Sequence, residues 1–176
     1  MKQRLPAIEP TTATEEVKRA LDGAGTHLGT SPNVVRAMAN SPAALIGYLA
    51  LETALTEATL DVRLRLQIAL AVAEANDCQG CVAAHMRAGI ALGLNAAAIQ
   101  GARQATSSDP KVEAALQFAR TVAEYRGDLT DDEFDRMRRA GYSHEEIAEI
   151  IANVVLSIYA NYFNAIAQTE IDTPDD

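Results

Sequence analysis

Tryptophan is absent from this sequence, aromatic residues make up 5% of it, and cysteine occurs only twice. With 15 Lys and Arg against 24 Asp and Glu, the formal charge is -9. That field repels polyanions, and no basic run interleaved with aromatics offsets it, which argues against a nucleic-acid partner. Two cysteines are too few for the disulfide-dense scaffold of a small secreted domain. The N-terminal "MKQRLPAIEP" has no apolar core of the kind a secretory signal needs, so a cytoplasmic location is expected. No segment alternates β-branched and polar residues, so no sheet is expected. Gly-rich phosphate loops, haem-attachment motifs and nicotinamide fingerprints are also missing, and no bound organic cofactor is expected.

What is present favours helix. The chain has 176 residues, 48% of them hydrophobic, with Ala and Leu prominent, which suits one all-α domain with a single core. Helix starts are written in pairs. Thr12 with Glu15, Thr130 with Glu133 and Ser143 with Glu146 have capping-box spacing. Ser31-Pro32, Ser41-Pro42 and Asp109-Pro110 set a capping oxygen before a proline at the first helical position. Gly93, Gly127 and Gly141 sit where helices should stop. These signals predict helices over 13–22, 32–39, 42–57, 62–75, 77–92, 95–104, 110–126, 131–139 and 144–168, in one domain over 1–176 with tails at 1–12 and 170–176.

The last helix is unusual. Between Glu149 and Glu170 runs "IIANVVLSIYANYFNAIAQT", without a charge. Asn153, Ser157, Asn161, Asn164 and Gln168 recur in it every three or four residues, too many amides for a lipid-exposed span. They predict one uncharged polar stripe, either a buried seam at a subunit contact or cavity, or exposed amides on a core helix.

Both cysteines lie in "CQGCVAAH", Cys78 and Cys81, with His85 four residues further on. In one continuous helix Glu74, Cys78, Cys81 and His85 would fall within roughly 60° of arc. If instead a new helix starts at Asn76, with Gln79 completing its capping box, the cysteines sit in a first turn. There the positive end of the dipole stabilises a thiolate. Either way His85 stands one turn beyond Cys81 and can serve as its base. Peroxide attack on a thiolate leaves a sulfenic acid, which a second cysteine converts to a disulfide. The alternatives are a structural crosslink, a metal site and an inert pair. A loop this short gains only about 2 kcal/mol from closure. Zinc would need Glu74 as a fourth ligand in a rigid geometry. His27 and His144 read as surface or capping-turn residues. A redox couple fits these residue types best, and no metal is assigned.

"ALAVAEANDCQGCVAAHMRAGIALGL" resembles the core motif of AhpD-like alkylhydroperoxidases in the carboxymuconolactone decarboxylase superfamily. The Cys-x-x-Cys-x-x-x-His spacing is the specific part. "SPNVVRAMANSPAAL", "SSDPKVEAALQFAR" and "AGYSHEEIAEIIANVVL" extend the likeness over about residues 28–173. The resemblance implies an all-helical AhpD-like fold assembled as a trimer or hexamer. It implies Cys81 as the peroxidatic thiol, Cys78 as its resolving partner and proton donor, and His85 as the proton relay. A peroxide would be the substrate and a dithiol or protein the reductant. Relatives usually carry a glutamate twelve residues before the first cysteine, where this chain has Leu66 with Gln67 beside it, and AhpD has a histidine where this chain has Gly80. Glu74 is the candidate to replace that missing carboxylate. The competing activities are a disulfide reductase or electron-carrying adaptor using the same pair, a lactone decarboxylase, and a non-catalytic scaffold.

Overall fold

The structure, a computed structural model, describes residues 3–28, 31–170 and 172, with the side chains of 25–28 excepted. The elements in order are α1 (Glu15–Leu28), α2 (Asn33–Met38), α3 (Pro42–Thr56), α4 (Val62–Ala75), α5 (Gln79–Ala91), α6 (Ala96–Arg103), α7 (Pro110–Tyr125), α8 (Asp131–Arg139) and α9 (His144–Ala167). Among the described residues there is no strand. The fold is all-α, as the sequence predicts.

Most of the punctuation works as the sequence implies. Thr130 and Glu133 form both halves of a capping box. Ser143 and Glu146 do the same, at 2.7 and 3.1 Å. Asp109 accepts from the Lys111 N–H at 2.8 Å with Pro110 opening α7. Gly93 ends α5 with φ +77°, a left-handed conformation that costs glycine little.

Two start signals near the N-terminus are corrected. Helix α1 begins at Glu15 behind Thr14, whose hydroxyl accepts from the Val17 N–H at 3.5 Å. Thr12 instead donates back to the Glu9 carbonyl, so it belongs to the turn before the helix. Ser31 caps nothing; its hydroxyl donates to the Leu21 carbonyl at 3.0 Å, and α2 starts behind Pro32 without a side-chain cap.

The chain forms two compact units, one of Met1–Ala54 with Tyr162–Asp176, the other of Leu55–Asn161. The first has its core in Val17, Leu21, Val35, Met38 and Leu45, with Tyr48, Leu49 and Phe163 packed on it. Residues 4–9, expected as part of a tail, are tied down there. The Arg4 N–H donates to the Ala167 carbonyl at 2.8 Å, and the Ile8 N–H to the Arg36 carbonyl at 3.0 Å. Arg36 also pairs with Glu9. Most of the expected tail at 170–176 lies outside the described residues.

The second unit is built round α4, which packs on α5, α6 and α7. Ile68, Leu70, Ala71, Val72 and Ala73 are all at most 1% exposed, so this helix is apolar almost all round over its second half. Side chains cap most of its helices: Asp61 caps α4, Asn95 caps α6, and Glu149 closes the preceding loop by accepting from the Thr59 and Leu60 N–H groups.

Candidate redox site

The site is made by the way α4 hands over to α5. Helix α4 ends at Ala75, Asn76 is its C-cap, and Asp77 turns left-handed at φ 52°. The Asp77 N–H then bonds the Glu74 carbonyl at 3.1 Å and the Cys78 N–H bonds the Ala73 carbonyl at 2.9 Å. This is a Schellman turn, and aspartate is one of the few non-glycine residues that enters it at modest cost. Gln79 braces it by donating to the Asp77 carboxylate at 2.9 Å. Cys78 is at once the end of that turn and the N-cap of α5, and its side chain makes no capping bond.

Cys78 and Cys81 are joined as a disulfide, with Cα atoms 5.2 Å apart. Three residues of helical turn bring the two side chains together without rearranging the backbone. Cys81 is 6% exposed and belongs to the core, while Cys78 is partly buried and packs against it. His85 follows Cys81 by one turn on α5. Its imidazole makes no hydrogen bond among the described residues, and burial pushes its pKa down to about 4 although an edge of the residue stays exposed. It is therefore neutral at pH 7.

Glu74 stands elsewhere. Because the chain reverses at Asp77, no single helix runs from 74 to 85, and the four-residue stripe does not form. The Glu74 carboxylate accepts two bonds from Arg103 at the end of α6, at 2.8 and 3.3 Å, and that bond and charge raise the Arg103 pKa. Asn76 is likewise corrected from a helix start to a helix end. Leu66 lies within α4, partly buried, with only carbon to offer, and Gln67 beside it is 8% exposed. His144 is exposed at the start of α9, and the side chain of His27 lies outside the described residues.

The amide stripe of α9 is where sequence reading stopped short. Asn153, Ser157 and Asn161 are buried inside the second unit. Asn153 accepts from Arg65 at 3.4 Å, and Asn161 accepts from the Asn76 side chain at 3.0 Å. The residues α9 turns outward are apolar instead: Ile151, Val155, Tyr159, Tyr162 and Ile166, each at least 39% exposed. By length and composition α9 could cross a membrane. Its amides, however, are turned to the protein interior in the second unit.

Among the described residues no three His, Cys, Asp or Glu side chains converge as metal ligands. A cleft of about 470 Å³ lies between α7 and α8, over Phe118, Thr121, Tyr125 and Arg136, and none of Cys78, Cys81 and His85 lines it. The chemistry of the disulfide, rather than the size of the cleft, identifies the site.

Comparison with known proteins bears on the fold and on the stretch around the cysteine pair. The profile of the Carboxymuconolactone decarboxylase family matches residues 42–124, which contain both cysteines and His85. Nothing matches among curated protein sequences. Among solved structures, the debrominase Bmp8 in complex with 2,3,4-tribromopyrrole is similar, with a TM-score of 0.85 at 21% identity, over 98% of this chain and 94% of that one. An uncharacterized peroxidase-related protein from Ralstonia eutropha JMP134, described as an alkylhydroperoxidase AhpD core, gives 0.84 at 20% identity, over 97% and 92%. One from Silicibacter sp. TM1040 gives 0.82 at 20%, over 96% and 90%. At such identities the likeness to solved structures establishes the fold. The fold is thus that of AhpD-like proteins, and the stretch that carries the cysteine pair and His85 is similar to the Carboxymuconolactone decarboxylase family.

Proposed function

We propose that the protein is a thiol-dependent peroxidase acting on alkyl hydroperoxides or hydrogen peroxide, with Cys81 as the attacking thiol. The observation that carries this reading is the Cys78–Cys81 disulfide closed in the first turn of α5, the product state of such a cycle. In the reduced protein a Cys81 thiolate attacks the peroxide O–O bond, forming a sulfenic acid and releasing the alcohol or water. The Cys78 thiol then displaces hydroxide from that sulfur, giving water and the disulfide. A dithiol or a protein reductant returns two electrons by exchange, consistent with a cytoplasmic setting. His85 is neutral at pH 7 and one turn away, which suits a group that accepts the Cys81 proton.

Glu74, held by Arg103, anchors the end of α4 in this reading rather than moving a proton. The outward Ile151, Val155 and Tyr159 of α9 in the second unit support a homo-oligomer in which a second copy covers them, because large apolar side chains exposed together mark contact surfaces. The likeness to a debrominase favours one further substrate class, an organic halide taking up the electrons of the same pair. The test is a stopped-flow count of thiols on reduced protein with one equivalent of an alkyl hydroperoxide, run beside a bromopyrrole. Loss of two thiols faster than free cysteine with the peroxide supports the first reading. Response to the halide alone replaces it.

A further inference from the structure

Among the described residues, one buried side-chain polar atom has no hydrogen-bond partner: the Nδ2 of Asn161. The residue is 2% exposed, and an amide N–H buried without an acceptor is destabilising. Its neighbours along the seam are satisfied. Asn153 donates to the Glu149 carbonyl at 2.8 Å and accepts from Arg65, and Ser157 donates to the Asn153 carbonyl at 2.9 Å. The position of the orphan is specific. The oxygen of the same amide accepts from Asn76 at 3.0 Å, and Asn76 caps α4 two residues before Cys78. On a helix of 24 residues, the unsatisfied donor stands at the redox turn.

That turn changes chemical state. In a disulfide both sulfurs are weak acceptors, whereas a thiolate is an anion and a strong one. We infer that the Asn161 amide is a redox-dependent hydrogen-bond donor to the Asn76–Cys78 turn, unsatisfied in the disulfide and satisfied when reduction places a thiolate there. The inference rests on the redox reading of Cys78 and Cys81. The step balances with a dithiol as reductant: its two sulfurs join, two electrons open the Cys78–Cys81 bond, one proton stays on a cysteine, and the other goes to solvent. The remaining negative charge is what the Asn161 N–H meets. By stabilising the charged reduced form, this donor lowers the thiol pKa and favours reduction.

The experiment is the pH profile of iodoacetamide alkylation on the fully reduced whole chain, resolved for each cysteine by mass spectrometry, with thermal unfolding recorded alongside. Asn161→Asp keeps the shape and replaces the donor by an acceptor; Asn161→Leu removes both. Both should raise the thiol pKa, slowing alkylation at pH 7 on the order of tenfold for one unit. Asn153→Ala, in the same seam but bonded away from the turn, should lose stability and keep the wild-type profile. Folded Asn161 variants with an unchanged profile overturn the inference, as does an equal shift in Asn153→Ala. If the Leu variant does not fold, the Asp variant decides alone. A wild type that reacts with neither peroxide nor dithiols overturns the redox reading as well. A reactive wild type with unmoved variants overturns only this inference.

Discussion

At the start of α8, Thr130 accepts from the Glu133 N–H at 3.3 Å and Glu133 accepts from the Thr130 N–H at 2.8 Å. At the start of α5, Cys78 occupies the corresponding position and makes no side-chain bond to the backbone. Both helices follow a left-handed residue at the end of their predecessor, Arg126 at φ 58° and Asp77 at φ 52°. Arg126 is followed by a second left-handed residue, Gly127 at φ 83°, whereas Asp77 leads straight into Cys78, and the caps differ as well. The first closes the exposed N–H groups of its helix with a carboxylate and a hydroxyl. The second leaves the positive end of α5 beside two sulfurs. An uncapped start costs stability, and at α5 the gain is a helix end that favours a thiolate.

Replacing cysteine attacks that difference most directly. Cys81→Ser should abolish rapid thiol loss to peroxide, while Cys78→Ser should stop at a sulfenic acid that a dimedone-type reagent traps. Next in size is the buried imidazole behind the uncapped turn. The ordinary His85 pKa of 6.5 falls to about 4 in the folded chain, so the unfolded chain takes up the proton first as pH drops. Its contribution is complete above pH 6.5 and is lost as pH falls from 6.5 to 4, by at most about 3 kcal/mol. Denaturant midpoints at pH 7 and 4.5 should therefore converge in His85→Gln.

Swapping the caps sharpens the comparison further. Cys78→Asp should stabilise α5 by about 1 kcal/mol against the reduced wild type while ending disulfide formation. Thr130→Ala should cost α8 about 1 kcal/mol and leave thiol chemistry intact. Urea unfolding under reducing conditions measures both, and a Cys78→Asp chain no more stable than the reduced wild type breaks the account. Glu74→Gln is the smallest change, at about 0.5 kcal/mol for a part-exposed ion pair. A lowered peroxide rate in that variant would return Glu74 to the proton path.

The fold was written locally, and so was most of the site. Caps such as Asp109-Pro110 and Thr130-x-x-Glu133 act within a few residues, so their outcome follows from the order of side chains. Cys78, Cys81 and His85 share one helix for the same reason. Glu74 was ambiguous because its place depended on whether the chain stayed helical through Asn76 and Asp77, and a non-glycine left-handed residue is a weak signal in sequence. Its partner Arg103 is 29 residues away, and Asn161 is 85 residues from Asn76. Such pairings are set by how helices pack. The amide stripe of α9 was visible as a pattern, but which side it faced needed the packing of α4.

The most direct measurement is the time course of thiol loss when fully reduced protein meets one equivalent of an alkyl hydroperoxide. The account predicts that two thiols disappear together, faster than in free cysteine, and that Cys81→Ser removes the fast phase. Loss at the rate of free cysteine, or the same fast phase in Cys81→Ser, would contradict it.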